Sequence, residues 1–117
     1  MQQGLWARLR GEVDVQLRRG GWYRVVRETP LEAVLDANGR QVNVPKSFLQ
    51  IVSARPEVWT VVPRPPRSGR LPMTWGPRYA VCPNCRARAP LGKPVPSMRC
   101  PTCNGVFEIG WGDGYSS

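Results

Sequence analysis

Cys82-Pro83-Asn84-Cys85 and, after fourteen intervening residues, Cys100-Pro101-Thr102-Cys103 hold all four cysteines of the chain. Each C-x2-C pair sets two thiolates on one tight turn, and the loop between the pairs lets the turns face each other across a tetrahedral ion. Cys82, Cys85, Cys100 and Cys103 are therefore the expected metal ligands, with Zn²⁺ as the default occupant; iron in a four-sulfur cage uses the same donors. Pro83 and Pro101 each follow the first Cys of a pair and fix φ there. Asn104 and Gly105 follow the second pair and tolerate the left-handed conformation that swings the chain back, whereas Arg86, after the first pair, fits such a turn less easily. Arg86, Arg88 and Arg99 stand within a few residues of the sulfurs, where they offset the negative charge of a tetrathiolate metal.

Other uses of the cysteines fit less well. The opening Met1-Gln2-Gln3-Gly4-Leu5-Trp6 leads into Arg8 and Arg10 with no apolar stretch, so no export is expected and the expected compartment is the reducing cytoplasm rather than one that favours disulfides. Thioredoxin-like chemistry places one C-x-x-C at a strand-to-helix junction, and no helix-period pattern surrounds either pair. Catalysis has little support. Without histidine there is neither a triad nor a His-ligated hydrolytic metal, four sulfurs close a zinc shell against water, and no phosphate-binding glycine loop occurs, so neither an enzyme nor a small-molecule substrate is expected.

The stretch Tyr79 to Ile109, YAVCPNCRARAPLGKPVPSMRCPTCNGVFEI, resembles a zinc ribbon, and is most similar to small bacterial modules whose second knuckle runs CPxC, a small residue, then Val-Phe. The resemblance covers about thirty residues and implies a place in nucleic-acid machines, in protein adapters or as a structural staple. The glycine that usually follows the second Cys of such a knuckle is absent after Cys85.

With 117 residues and 41% hydrophobic content the chain has room for one ordinary domain or two very small ones, and no apolar run is long enough to cross a membrane as a helix. Its formal charge of +9 is uneven: residues 1–52 carry +3, residues 53–103 carry +8, and residues 104–117 carry −2. A polyanion would therefore meet the C-terminal half first.

The N-terminal half reads as β. Val13, Val15 and Leu17 alternate with Glu12, Asp14, Gln16 and Arg18; Gly20-Gly21 turns the chain into Trp22–Val26; Leu31–Asp36 and Arg40–Val44 flank Ala37-Asn38-Gly39, a strong hairpin signal; and Phe48–Val52 follows Pro45-Lys46-Ser47. Within the hairpin, Val42 and Val44 are expected inside and Gln41 and Asn43 outside. Trp22, Phe48 and Phe107 are expected in cores. This order, over residues 11–52, resembles the SH3-like barrels of Tudor and KOW type, in the glycine-led strand, the central hairpin and the V-x-V-P-x-x-x-L ending. An OB-like barrel is the alternative.

Residues 53–78, with six prolines and four arginines besides Arg78, read as an extended linker, interrupted by Val58–Val62, which alternates well enough to add a strand to either neighbour. The expected architecture is all-β: an SH3-like barrel over 11–52, a Pro/Arg-rich linker over 53–78 and a zinc ribbon over 79–111. The expected partner is nucleic acid, RNA or a ribonucleoprotein before duplex DNA because nothing here offers a recognition helix, and the alternative is a large protein assembly. Contact residues would be Arg64, Arg67 and Arg70 on the linker, Trp75 and Tyr79 as stacking rings, and Arg78, Arg86, Arg88, Lys93 and Arg99 around the ribbon.

Overall fold

A computed structural model describes residues 4–10, 17–64 and 71–111. The chain is all-β and divides between Pro56 and Glu57 into two compact units.

The first unit is a five-stranded antiparallel sheet made of β1 (Leu5–Leu9), β2 (Tyr23–Glu28), β3 (Glu32–Ala37), β4 (Arg40–Pro45) and β5 (Leu49–Val52), in the order β4-β3-β2-β1-β5. It curls into a half-barrel. A bulge in β2 opposite β3 shifts the register between Val25 and Arg27 and leaves Val26 exposed, and bulges of this kind tighten the local twist that curls a sheet. Ala7, Leu9, Tyr23, Ala33, Leu35, Val44 and Leu49 form the core, with Val42, Ile51 and Leu17 packed on it.

The central hairpin forms as its sequence requires. Asn38 and Gly39 have φ of 57° and 89°, the two left-handed values of a type I′ turn, and Asp36 Oδ1 accepts the Gly39 N–H at 2.8 Å. Val44 is buried and Val42 half-buried, while Gln41 and Asn43 are exposed. One expectation is corrected and one falls outside the described residues. The first described strand is Leu5–Leu9; Val13 and Val15 lie outside the described residues, and Leu17 precedes the turn into β2. This strand pairs with both β2 and β5, so both of its edges are covered, and even Arg8 is buried, with its guanidinium 4.6 Å from the centre of the Trp22 ring and its Nε donating to Gln50 Oε1 at 2.9 Å. Phe48 is 39% exposed because it ends a 3₁₀ turn, Lys46–Phe48, instead of opening β5. Trp22 is buried as expected, and so is its neighbour Tyr23.

The second unit is built from β6 (Val58–Pro63), β7 (Arg78–Val81), β8 (Arg88–Pro90), β9 (Ser97–Arg99) and β10 (Val106–Ile109), in the order β8-β7-β6-β10-β9. Two antiparallel hairpins, β7–β8 and β9–β10, flank β6, which runs antiparallel to β7 and parallel to β10. Val58–Val62, the part of residues 53–78 expected to add a strand to a neighbour, thus supplies the central strand of this unit. Its apolar run follows from that place, since a central strand buried on both faces has no polar side to show. Trp59 and Val61 face one core, together with Ala80, Cys82, Ala89, Cys100 and Ile109. Val62 faces the other, with Leu71, Tyr79, Val81 and the half-buried Trp75.

Candidate metal centre and basic surface

Each hairpin carries one cysteine pair at its tip. Cys82 follows the last residue of β7, Cys100 the last residue of β9, and the two turns repeat one hydrogen-bond scheme. Cys82 N–H donates to the Ala87 carbonyl at 2.9 Å and Arg86 N–H to the Cys82 carbonyl at 3.1 Å; Cys100 N–H donates to the Gly105 carbonyl and Asn104 N–H to the Cys100 carbonyl, both at 2.8 Å. The residue after each second cysteine is left-handed, Arg86 at φ 64° and Asn104 at φ 65°. Arg86 therefore makes the same turn as Asn104, at a backbone cost of about 1–2 kcal/mol that glycine would not incur.

The four Sγ atoms lie within 4.8 Å of one another. Two approaches run between the turns, Cys82 to Cys103 at 3.8 Å and Cys85 to Cys100 at 3.6 Å. A tetrahedron with zinc–sulfur bonds of about 2.3 Å has edges of about 3.8 Å, so the arrangement fits a tetrahedral ion at its centre. Burial pushes the Cys82 thiol up to about 12 and raises that of Cys85, whereas Cys103 is lowered to about 6, first by the Asn84 side chain and then by the Gly105 backbone N–H. Burial works against thiolates at two of the four positions. A bound cation supplies the charge that makes all four tolerable.

Packing fixes the turns. Trp59 is fully buried beside them and donates its Nε1–H to the Met98 carbonyl at 3.0 Å. A Cβ on Gly105 would sit 2.5 Å from the Phe107 ring and 3.5 Å from Cys103 Sγ, so glycine lets the half-buried ring close over the second turn. Phe107 packs against the metal-side core as the sequence implied. Asn84, inside the first C-x2-C, is the member of the site that residue-type reasoning passed over; its backbone N–H also donates to Cys82 Sγ at 3.4 Å.

The expected nucleic-acid contacts are placed unequally. Arg78, Lys93 and Arg99 are exposed, and Arg86 and Arg88 are half-buried. Arg78 holds its guanidinium 5.4 Å from the centre of the Trp111 ring. Arg64 is a staple for the 71–77 segment: its Nε donates to the Gly76 carbonyl at 2.7 Å, its other nitrogens reach the carbonyls of Pro72 and Leu71, and its own N–H donates to Pro77. Tyr79, expected to offer its ring to a base, is 3% exposed, and Trp75 is half-buried against the same core. In so small a unit the Tyr79 ring is consumed by the second core. Arg67 and Arg70 lie outside the described residues. Among the described residues of this unit the carboxylates are Glu57 and Glu108, and both line one groove of about 470 Å³ with Val58, Val106 and Phe107.

Fold and site together define an all-β protein with a four-cysteine centre positioned to bind a metal ion. No family model, no curated protein and no solved structure matches this chain. No helix among the described residues is long and apolar enough to cross a membrane.

Proposed function

We propose that this is a non-enzymatic zinc-ribbon protein in which Zn²⁺ is structural and the basic surface of the second unit binds nucleic acid, RNA or a ribonucleoprotein in preference to duplex DNA. In this reading the first unit is an SH3-like barrel, whose strand order and central hairpin it shares. The observation that carries the proposal is the excess of cations over carboxylates among the described residues of the second unit. Arg78, Lys93 and Arg99 are exposed, with Arg86 and Arg88 half-exposed near them in sequence, while the described carboxylates, Glu57 and Glu108, line one groove. The described helical segments are two three-residue 3₁₀ turns, too short to enter a major groove, which favours RNA.

Fluorescence anisotropy with a single-stranded RNA and a duplex DNA, over a series of salt concentrations, tests this reading. Binding should weaken steeply with salt, and Lys93→Gln with Arg99→Gln should lower the magnitude of the log K against log salt slope by about 0.7 for each phosphate that is no longer neutralised. The pair Arg67→Gln and Arg70→Gln extends the test; Arg64 is left in place because it holds the carbonyls of Leu71, Pro72 and Gly76. Absence of binding to either probe at low salt refutes the proposal. The second reading, a subunit of a protein assembly, is favoured by the groove itself, where exposed Val58 and Val106 lie between Glu57 and Glu108. A stoichiometric protein that copurifies at high salt and is lost on Val106→Arg would support it.

A further inference from the structure

We propose that the groove lined by Glu57, Val58, Val106, Phe107 and Glu108 is a docking site for an extended segment of a partner protein, one that presents a cationic side chain beside an apolar one. The inference rests on the protein-assembly reading above, not on the nucleic-acid one, and names the chemistry of the partner.

The register of the second sheet shows where its face is left open. Trp59 and Ile109 are partners in the β6–β10 ladder and both belong to the metal-side core, so Val58 and Glu108, partners one step earlier, turn to the opposite face. Along β6 that face runs Val58, Thr60, Val62. Thr60 and Val62 are fully buried, the latter packed with Leu71 and Trp75 of the chain's own 71–77 segment, whereas Val58 is 40% exposed. Val106, two residues from Glu108 and on the same face of β10, is 57% exposed. The cover that the chain supplies to this face therefore stops short of its β6–β10 end, and both valines stand in water in one groove with the half-buried Phe107. Exposed apolar side chains that are grouped, unlike single ones, mark an interaction site.

Charge says what would cover them. Glu57 and Glu108 are exposed, line the same groove and make no ion pair among the described residues, although the chain carries seventeen Lys and Arg against eight Asp and Glu. Two carboxylates without counter-charges repel a phosphate backbone, which sets the groove apart from a nucleic-acid surface and makes a cation its complement. Arginine and lysine suit both parts of the groove, since their methylene stems lie along apolar side chains while the charged head reaches a carboxylate. The site also has a direction. On β9 the partner of Glu108 is Ser97 and the partner of Val106 is Arg99, so the cation of the docked segment belongs at the Glu108 end and its apolar residue over Val106, where a second cation would meet Arg99.

Fluorescence anisotropy of short labelled peptides with the zinc-loaded protein tests this. A peptide with an Arg-Val centre should bind, several-fold more tightly than one with a Glu-Val or an Arg-Ser centre. Glu108→Gln and Val106→Ser should each weaken that binding several-fold and melt with wild type, both positions being exposed, while Met73→Ser, which removes an exposed apolar side chain outside the groove, should leave it unchanged. The proposal is overturned if wild type binds none of these peptides, if it binds the Arg-Val and Glu-Val peptides alike, or if the double variant Glu57→Gln with Glu108→Gln binds the Arg-Val peptide as wild type does. Other occupants would show themselves. Self-association in the ultracentrifuge that is lost on Glu108→Gln would assign the groove to a second copy, and peptide binding that appears only with Arg67→Gln and Arg70→Gln would assign it to the chain's own segment; either result overturns the proposal. A copurifying protein lost on Val106→Arg but kept by the double glutamine variant would leave the assembly reading standing and overturn this one. If no copurifying protein is lost on Val106→Arg, the assembly reading fails and this site with it.

Discussion

Replacing Arg64 by glutamine tests whether this side chain is a structural staple or a ligand for phosphate. Its Nε–H···O bond to Gly76 is short and partly buried, its bond to Pro72 is exposed, and that to Leu71, at 3.4 Å, is long. A hydrogen bond from a charged donor contributes about 1.5–3 kcal/mol; taking the Gly76 bond near the middle of that range and discounting the other two for exposure and length gives a loss of about 2–3 kcal/mol. The damage extends further, because Leu71 and Trp75, which cover Val62, Tyr79 and Val81, are carried on the segment that these carbonyls anchor. With a urea m-value of about 1 kcal/mol/M for a unit this small, the transition midpoint of the second unit should fall by about 2–3 M. Tryptophan fluorescence of zinc-loaded protein reports the transition, since Trp59 and Trp75 both lie in this unit. Lys93→Gln, at an exposed position, is the control and should leave the midpoint within experimental error. If Arg64→Gln melts with wild type and instead weakens RNA binding, the staple is wrong and Arg64 returns to the phosphate-binding surface.

Cys100→Ser should abolish stoichiometric zinc, measured by elemental analysis, and unfold the second unit while the first keeps its own transition, because the two units have separate cores. Metal affinity should drop steeply on acidification: Cys82 and Cys85 are both held above the usual thiol value, so binding releases at least their two protons near neutrality, and a competition titration should lose about a hundredfold or more per pH unit. In the first unit, Val44→Asp should cost several kcal/mol through an unpaired buried charge while Asn43→Asp is nearly silent, and thermal melts showing the two alike would refute the register of β4. Gly39→Val should cost about 1–2 kcal/mol from backbone conformation alone, as nothing lies within 4 Å of the added Cβ.

What could be read from the residues was governed by how locally each feature is determined. The cysteine turns and the Asn38-Gly39 hairpin are specified within a few residues of themselves, and both are present. Strand β1 was not legible, because a strand held between β2 and β5 shows no polar alternation, and Arg8 in its middle reads as surface until Trp22 and Gln50 are brought to it from elsewhere in the chain. Strand β6 was visible as β but its sheet was not, since its partners lie about twenty and fifty residues downstream. The arginines of residues 53–78 carry one kind of charge but different fates. Only the fold shows that the Arg64 guanidinium ends on backbone carbonyls, and only the thinness of the second core explains why Tyr79 is buried in it.

The parallel pairing of β6 with β10 also sets an order of assembly. Both cysteine hairpins close over short distances along the chain, whereas Trp59 meets Ile109 across an intervening segment of about fifty residues, the slowest class of pairing to form. We infer that metal capture and the insertion of β6 are separate kinetic events, with a transient species whose hairpins are joined by the ion and whose β7 and β10 edges are still open. Stopped-flow refolding should then show metal–thiolate absorbance developing before Trp59 fluorescence, and simultaneous development of the two signals would rule the order out. Until β6 is seated, that species exposes the pairing edges that draw other chains, so seating β6 is the step that closes them.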